Sequence, residues 1–198
     1  MKKLDILITG VGGQGVILAS DIIGEIAITA GYDAKKTDTI GMAQRGGSVI
    51  SHVRLASRVY SPLIKEGEVN LLIALEKLEA ARWSHYLHPE GTVIINNLAI
   101  PPLSVAVGSE RYPSDEEIVR ILRRHTERVY LVEGTSRAKE LGSTRTLNMF
   151  MLGCASPFIP FKIQSWKDGI SQHLPSRVLK INLTAFEQGR KEMKNANI

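Results

Sequence analysis

The sequence predicts an α/β fold: a Rossmann-like, mainly parallel sheet with helices on both faces, in one domain spanning residues 1–198. Three observations lead there. Short apolar runs alternate with segments of helical periodicity along the chain, which implies a parallel sheet. A glycine-rich turn, Gly10-Val-Gly12-Gly13-Gln14-Gly15, joins the first apolar run to the first helical segment. No polar linker, internal repeat or low-complexity stretch divides the chain.

Leu4 to Thr9 reads as a short buried strand, so the glycines fall where it must turn sharply into a helix. Val16 to Ala30 carries Val16, Ala19, Ile22, Ile23, Ile26, Ala27 and Ala30 as one apolar stripe, and Gly31 stops that helix. Ala34 to Thr37 is expected as the second strand, followed by a glycine-rich loop from Thr39 to Gly47. From Ser48 to Leu55, Val49, Ser51, Val53 and Leu55 alternate with Ile50, His52 and Arg54, the period of a strand. Leu71 to Leu75 reads as a strand and Glu76 to Leu87 as the helix behind it. Thr92 to Ile95 is the next central strand, ended by Asn96 and Asn97, and Pro101-Pro102 marks an extended crossing before Val105 to Val107. Ser114 and Glu117 form a capping box that opens a helix to about His125, and Val129 to Val132 is expected as another buried strand. The last third is helical: Thr144 to Ala155, a helix capped by Ser165 and running to about Leu174, and the amphipathic stretch Asn182 to Lys194.

Composition narrows the function. No apolar run approaches a membrane span, and Met1-Lys-Lys followed directly by a strand lacks the apolar stretch of a secretory signal, so the expectation is a cytoplasmic protein without a membrane partner. Cys154 is the only cysteine, which excludes an internal disulfide and a cysteine-ligated iron–sulfur cluster within the chain. His52, His85, His88, His125 and His173 show no zinc-type spacing, so no metal site is expected. The formal charge of +5 invites a nucleic-acid reading. Yet the basic residues are scattered apart from Arg120, Arg123, Arg124 and Arg128, and no nucleic-acid-binding module accompanies them. That group reads as a solvated face, with an acidic protein partner as the functional alternative.

The glycine turn leaves two readings open: an anion bound by free amides at a helix N-terminus, or a tight turn with close packing and no ligand. Asp38 stands where a dinucleotide site places its ribose-binding acid, but it reads equally as an ordinary turn residue, and the turn is favoured. In Gln44-Arg45-Gly46-Gly47-Ser48, Arg45 offers a charged fork for a carboxylate or phosphate; a pinning salt bridge or a loop shaped for a partner subunit are the alternatives, and the interface is preferred. Ser51, His52 and Arg54 would line the same crevice, although neighbouring Ser51 and His52 face opposite ways and form no nucleophile pair. Asn148 to Cys154 reads as a core helix with Gly153 permitting close approach and Cys154 as a buried thiol. Trp83 and Trp166 read as core or interface anchors.

Gly10-Val-Gly-Gly-Gln14-Gly15-Val, then Gly41-Met-Ala-Gln-Arg45-Gly46-Gly47-Ser48-Val-Ile-Ser-His52-Val-Arg54, then Asn148 to Gly153, resemble the gamma-type domain of 2-oxoacid:ferredoxin oxidoreductases, and within that family the indolepyruvate type. The resemblance implies a subunit that is inactive alone. Thiamine diphosphate and [4Fe-4S] clusters would sit on an iron–sulfur and thiamine-binding alpha subunit, with ferredoxin as electron acceptor and coenzyme A as acyl acceptor of a decarboxylated aryl pyruvate. For this chain it implies no catalytic residue. Candidate cofactor contacts are Gly10, Gly12, Gly13, Gln14 and Gly15, for coenzyme A phosphates, and Arg45, Gly46 and Gly47, in a Gly41 to Ser48 loop that buttresses the thiamine site. The alternatives are a subunit of a related pyruvate or 2-oxoisovalerate enzyme, a stand-alone NAD-binding dehydrogenase, or a nucleotide-sensing module.

Overall fold

In the computed structural model, which describes residues 2–40 and 46–195, the apolar runs form strands β1 (Leu4–Val11), β2 (Asp33–Ile40), β3 (Ser48–Ala56), β4 (Val69–Ala74), β5 (Leu87–Asn96) and β6 (Arg128–Val132). The helices are α1 (Val16–Thr29), α2 (Lys77–Arg82), α3 (Leu103–Ala106), α4 (Asp115–Arg123), α5 (Gly134–Glu140), α6 (Leu147–Ala155), α7 (Ile163–His173) and α8 (Ser176–Asn195). One sheet runs in the order β2-β3-β1-β4-β5-β6. β1, β4, β5 and β6 pair in parallel, whereas β3 is antiparallel to both of its neighbours, so it alone opposes the common direction.

The central strands are apolar on both sides because helices cover both faces. Ile6, Ile8 and Ile73 share one core with the α1 stripe Ala19, Ile22, Ile23 and Ile26 and with residues of α6, α7 and α8. Leu7, Leu72, Val93 and Ile95 share the other with Ala80 of α2 and Ile118 and Leu122 of α4. Behind the first core, α6 and α8 touch backbone to backbone through two glycines: a Cβ at Gly189 would run into the Phe150 carbonyl oxygen, and one at Gly153 into that of Phe186. Trp166 and Phe186 pack at a tilt beside this crossing with ring centroids 5.6 Å apart. Among the described residues no helix is long and apolar enough to cross a membrane.

Several boundaries differ from the sequence reading. β2 extends through Asp38 to Ile40, so Asp38 is a strand residue rather than a turn residue. The helix expected from Glu76 to Leu87 is only α2 and a following turn, because Leu87 already belongs to β5. Residues around Val105 form the short helix α3. β6 is the sheet edge, and of its five residues only Val132 is buried. α7 begins at Ile163 after Lys162, so Ser165 lies inside the helix and does not cap it. α5 has no counterpart in the sequence reading; its segment, GTSRAKE, lacks an apolar stripe, and it forms because Ala138 and Gly134 bury against the core. The Ser114–Glu117 capping box is present in full, with Glu117 N donating to Ser114 Oγ at 3.3 Å and Ser114 N to Glu117 Oε2 at 2.7 Å.

Candidate functional site

The first glycine motif turns from β1 into α1 at the rim where the parallel strands end. Gly13 and Gly15 take φ of 101° and 83°, a left-handed conformation that a side chain disfavours. A Cβ at Gly15 would also strike the Asn148 amide, which reaches from α6 to donate to Gly15 O at 3.3 Å. Gly10 is required for a different reason. Gln14 folds back over it, accepting from Val11 N at 2.6 Å and donating to Leu75 O at 3.0 Å, and a Cβ at Gly10 would lie 2.7 Å from Gln14 Oε1. The Gln14 amide therefore spans the ends of β1 and β4, the crevice where a Rossmann fold lays its dinucleotide.

Among the described residues α1 starts at Gly15 with no side-chain cap and no acid in its first turn, so its leading amides present donors at the positive end of the helix dipole. They border a cavity of ≈ 270 Å³ lined by Val11, Gly13, Gly15, Val16, Ile17 and Val49. The cavity combines anion-directed backbone with apolar side walls, which suits a phosphate carried on an organic body.

The second motif joins the first at this rim. Gly41 to Arg45, including Gln44 and Arg45, lie outside the described residues; Gly46 follows with φ 79°. Gly12 N donates to Gly47 O at 2.8 Å, and Val11 faces Ser48 in the sheet register. Ser48 Oγ in turn donates to Glu79 Oε2 at 2.5 Å. Glu79 is only 4% exposed and also accepts from Arg82 Nε at 3.1 Å and Trp83 Nε1 at 3.3 Å. Three residues earlier, Glu76 caps α2 by accepting from Glu79 N, and its other oxygen accepts from Ile100 N at 2.9 Å and Tyr112 Oη at 2.5 Å. Burial, and then the Glu76 carboxylate, push the Tyr112 phenol well above its ordinary range, so it remains a donor. These carboxylates were not legible as site residues. The available signal was two acids three apart directly behind an apolar strand, at the first turn of a helix.

The structure does not bring Ser51, His52 and Arg54 into the crevice. Ser51 Oγ donates to Asp38 Oδ1 at 2.6 Å, and Asp38 also pairs with Lys36 Nζ at 2.9 Å. Since β3 lies between β2 and β1, Asp38 is two strand spacings, about 10 Å, from the glycine turn and its carboxylate is already engaged. Arg54 grips buried Asp5 with two nitrogens, at 2.9 and 3.1 Å, toward the opposite rim. His52 packs edge-on against Tyr86 and accepts from Ile64 N at 3.4 Å. Burial, and then the Arg54 charge, hold its imidazole below the ordinary 6.5. Below that pH the unfolded chain binds a proton that the native state refuses, so this contribution to stability is complete above 6.5 and falls as pH drops toward the folded value. His52→Gln is expected to flatten the stability slope measured by urea unfolding between roughly pH 5 and 8; an identical slope in the variant would remove His52 as its source.

Burial pushes the Cys154 thiol up, away from reactivity. Among the described residues no three His, Cys, Asp or Glu side chains gather as metal ligands. Among the described residues the rim thus offers amides, glycines and an apolar wall, without an assembled acid, base and nucleophile.

The family model for pyruvate ferredoxin/flavodoxin oxidoreductase matches residues 5–192. The chain belongs to that family. Its relatives in the oxidoreductase family include the indolepyruvate oxidoreductase subunit IorB of Archaeoglobus fulgidus, 39% identical over 189 residues that cover 94% of each chain. The IorB subunit of Pyrococcus horikoshii is 36% identical over 197 residues, 98% of each. The fold matches, with a TM-score of 0.75 and 22% identity, the 2-oxoglutarate:ferredoxin oxidoreductase of Magnetococcus marinus solved with 2-oxoglutarate, coenzyme A and succinyl-CoA bound; the match takes in 98% of this chain and 32% of that one. The oxidoreductase family's fold is therefore the α/β architecture expected from the glycine turn and the alternating apolar runs.

Proposed function

We propose that this chain is the IorB-type subunit of an indolepyruvate ferredoxin oxidoreductase, contributing a binding rim and no proton-transfer group. The observation that carries the reading is the similarity to indolepyruvate subunits over nearly the whole length of both chains. The geometry agrees: the Gln14 amide is engaged across the ends of β1 and β4 and Asp38 is remote from the crevice, which disfavours the stand-alone NAD enzyme.

With one buried thiol, this chain does not fit an iron–sulfur cluster, so clusters and thiamine diphosphate belong in this reading to an alpha subunit that also delivers electrons to ferredoxin. Thiamine diphosphate supplies the stabilised carbanion needed for decarboxylation of the 2-oxoacid. This chain's own part is steric and electrostatic. The Gly46–Ser48 segment, held by Gly12 and Glu79, presents side-chain-free backbone toward the companion, and the uncapped start of α1 fits coenzyme A phosphates.

Coexpression with the alpha subunit tests this. The assembled complex is expected to oxidise indolepyruvate with coenzyme A and ferredoxin, and the isolated chain to turn over nothing and to show no thermal shift with NAD. Gly12→Asp in the complex is expected to raise the apparent KM for coenzyme A by roughly tenfold, since it sets a carboxylate beside the amides. Turnover by the isolated chain would end the subunit reading, and an unchanged KM would end the phosphate role.

A further inference from the structure

The rim carrying both glycine motifs continues onto α3, and we propose that Leu103 and Val107 there are the apolar anchors that seat this chain on its thiamine-binding companion. The inference rests on the subunit reading above. α3 lies in the excursion between the end of β5 and the start of α4, which places it on the rim where the parallel strands end. No residue of α3 is buried, and Leu103 and the following Val107 are 78% and 69% exposed. They stand one helical turn apart and so share a side. Beside them a groove of ≈ 520 Å³ has a mixed lining, with Leu78, Val105 and Ile121 as apolar wall and Arg82, Glu110 and Arg111 as charged wall. A projecting apolar pair beside a groove rimmed by charged side chains is the relief that a protein partner packs against, apolar at its centre and polar at its edge.

The companion, rather than a second copy or another protein, is chosen because this relief is continuous with the rim assigned to it and fixed to that rim. Glu76 holds both ends of the excursion through Ile100 N and Tyr112 Oη, while Glu79, in the same turn of α2, holds Ser48 at the second glycine motif. The anchor and the glycine segment are thereby set at one spacing before the partner arrives, which lowers the ordering cost of association. The glycine segments offer the partner backbone, and the apolar wall beside them, Val11, Val16 and Val49, is buried rather than projecting. An interface of standard size needs a few well-packed apolar residues near its centre to be stable, and Leu103 and Val107 supply them.

The test is coexpression of the alpha subunit with this chain as wild type, as Leu103→Asp, as Val107→Asp, and as Leu63→Asp, a comparably exposed apolar residue outside this rim, in the segment between β3 and β4. Wild type and Leu63→Asp are expected to copurify with the companion, whereas Leu103→Asp and Val107→Asp weaken its affinity by roughly tenfold or more. The melting temperature of each isolated variant is expected to match wild type, because neither side chain is buried; Leu103→Ser serves if the aspartate disturbs the fold. Undiminished copurification of both rim variants overturns the proposal, as does loss of assembly in Leu63→Asp alone. It is equally overturned if the rim variants only dissociate a dimer of this chain while the companion stays bound. Failure of the wild type itself to hold the companion overturns the subunit reading, and the anchor with it.

Discussion

Gly189→Ala is expected to lower the unfolding free energy by about 3 kcal/mol and the melting temperature by roughly 10 °C. Alanine is ordinarily the better helix former, so the sign of this effect comes wholly from packing. The added methyl would overlap the Phe150 carbonyl oxygen and lie 2.9 Å from Cys154 N, and these are backbone atoms of α6 that cannot rotate aside. Relief requires α6 and α8 to move apart, which opens the buried layer formed by Phe150, Cys154, Ala185 and Phe186. Gly24 provides the control, because it lies within α1 and a Cβ there meets nothing within 4 Å. Gly24→Ala should stabilise by up to about 1 kcal/mol. Thermal and urea unfolding of the two variants compare the cases directly; if they shift stability in the same direction, the close helix crossing is not what glycine serves at position 189.

Replacing Glu76 by alanine is expected to cost about 4 kcal/mol and to open the chain between Ile100 and Tyr112 to proteases. Glu76 is 1% exposed, so its removal leaves the amides of Ile100 and Glu79 and the Tyr112 hydroxyl without their acceptor in a partly buried space. Glu76→Gln retains the length and one acceptor oxygen but turns an amide group toward donors, so it falls between wild type and Glu76→Ala. Tyr112→Phe removes one of the three donors together with the acceptor for Leu78 N, and is expected to cost about 1 kcal/mol. Denaturation curves rank the three variants, and limited proteolysis with identification of the cut sites locates the opening. Cleavage of Glu76→Ala elsewhere, with residues 100–112 still protected, would show that the carboxylate does not hold this excursion.

The elements that could be read from sequence are those whose signal is local. The α1 stripe, its glycine stop and the Ser114 capping box depend on residues within one or two turns, and all three are found, except that Ala30 of the stripe is exposed just past the helix end. Elements set by distant contacts were misread. β6 has the composition of a buried strand, yet it is last in the sheet and loses cover on one side. α5 has no stripe, and its burial depends on Asn96 and Leu147 closing around Gly134. At the rim, the fold of the first glycine motif followed from strand, glycines and helix in series. The joining of Gly12 to Gly47 did not, because it depends on sheet register, which no periodicity encodes. The two acids, Glu76 capping α2 and Glu79 within it, were not singled out in the sequence, since the donors Ser48, Ile100 and Tyr112 lie more than twenty residues away.

One reversed strand decides what can meet at the rim. A nine-residue β-strand is about 30 Å long. Were β3 to run with its neighbours, Ser48 and the glycines before it would enter the sheet at the far side of the molecule, and a crossover would be needed to carry the chain there. Running against them, β3 delivers its first residue to the place where β1 delivers its last. Two segments thirty residues apart are thus made adjacent by polarity together with register, and a redesign that kept every side chain but inverted this strand would take the motif apart.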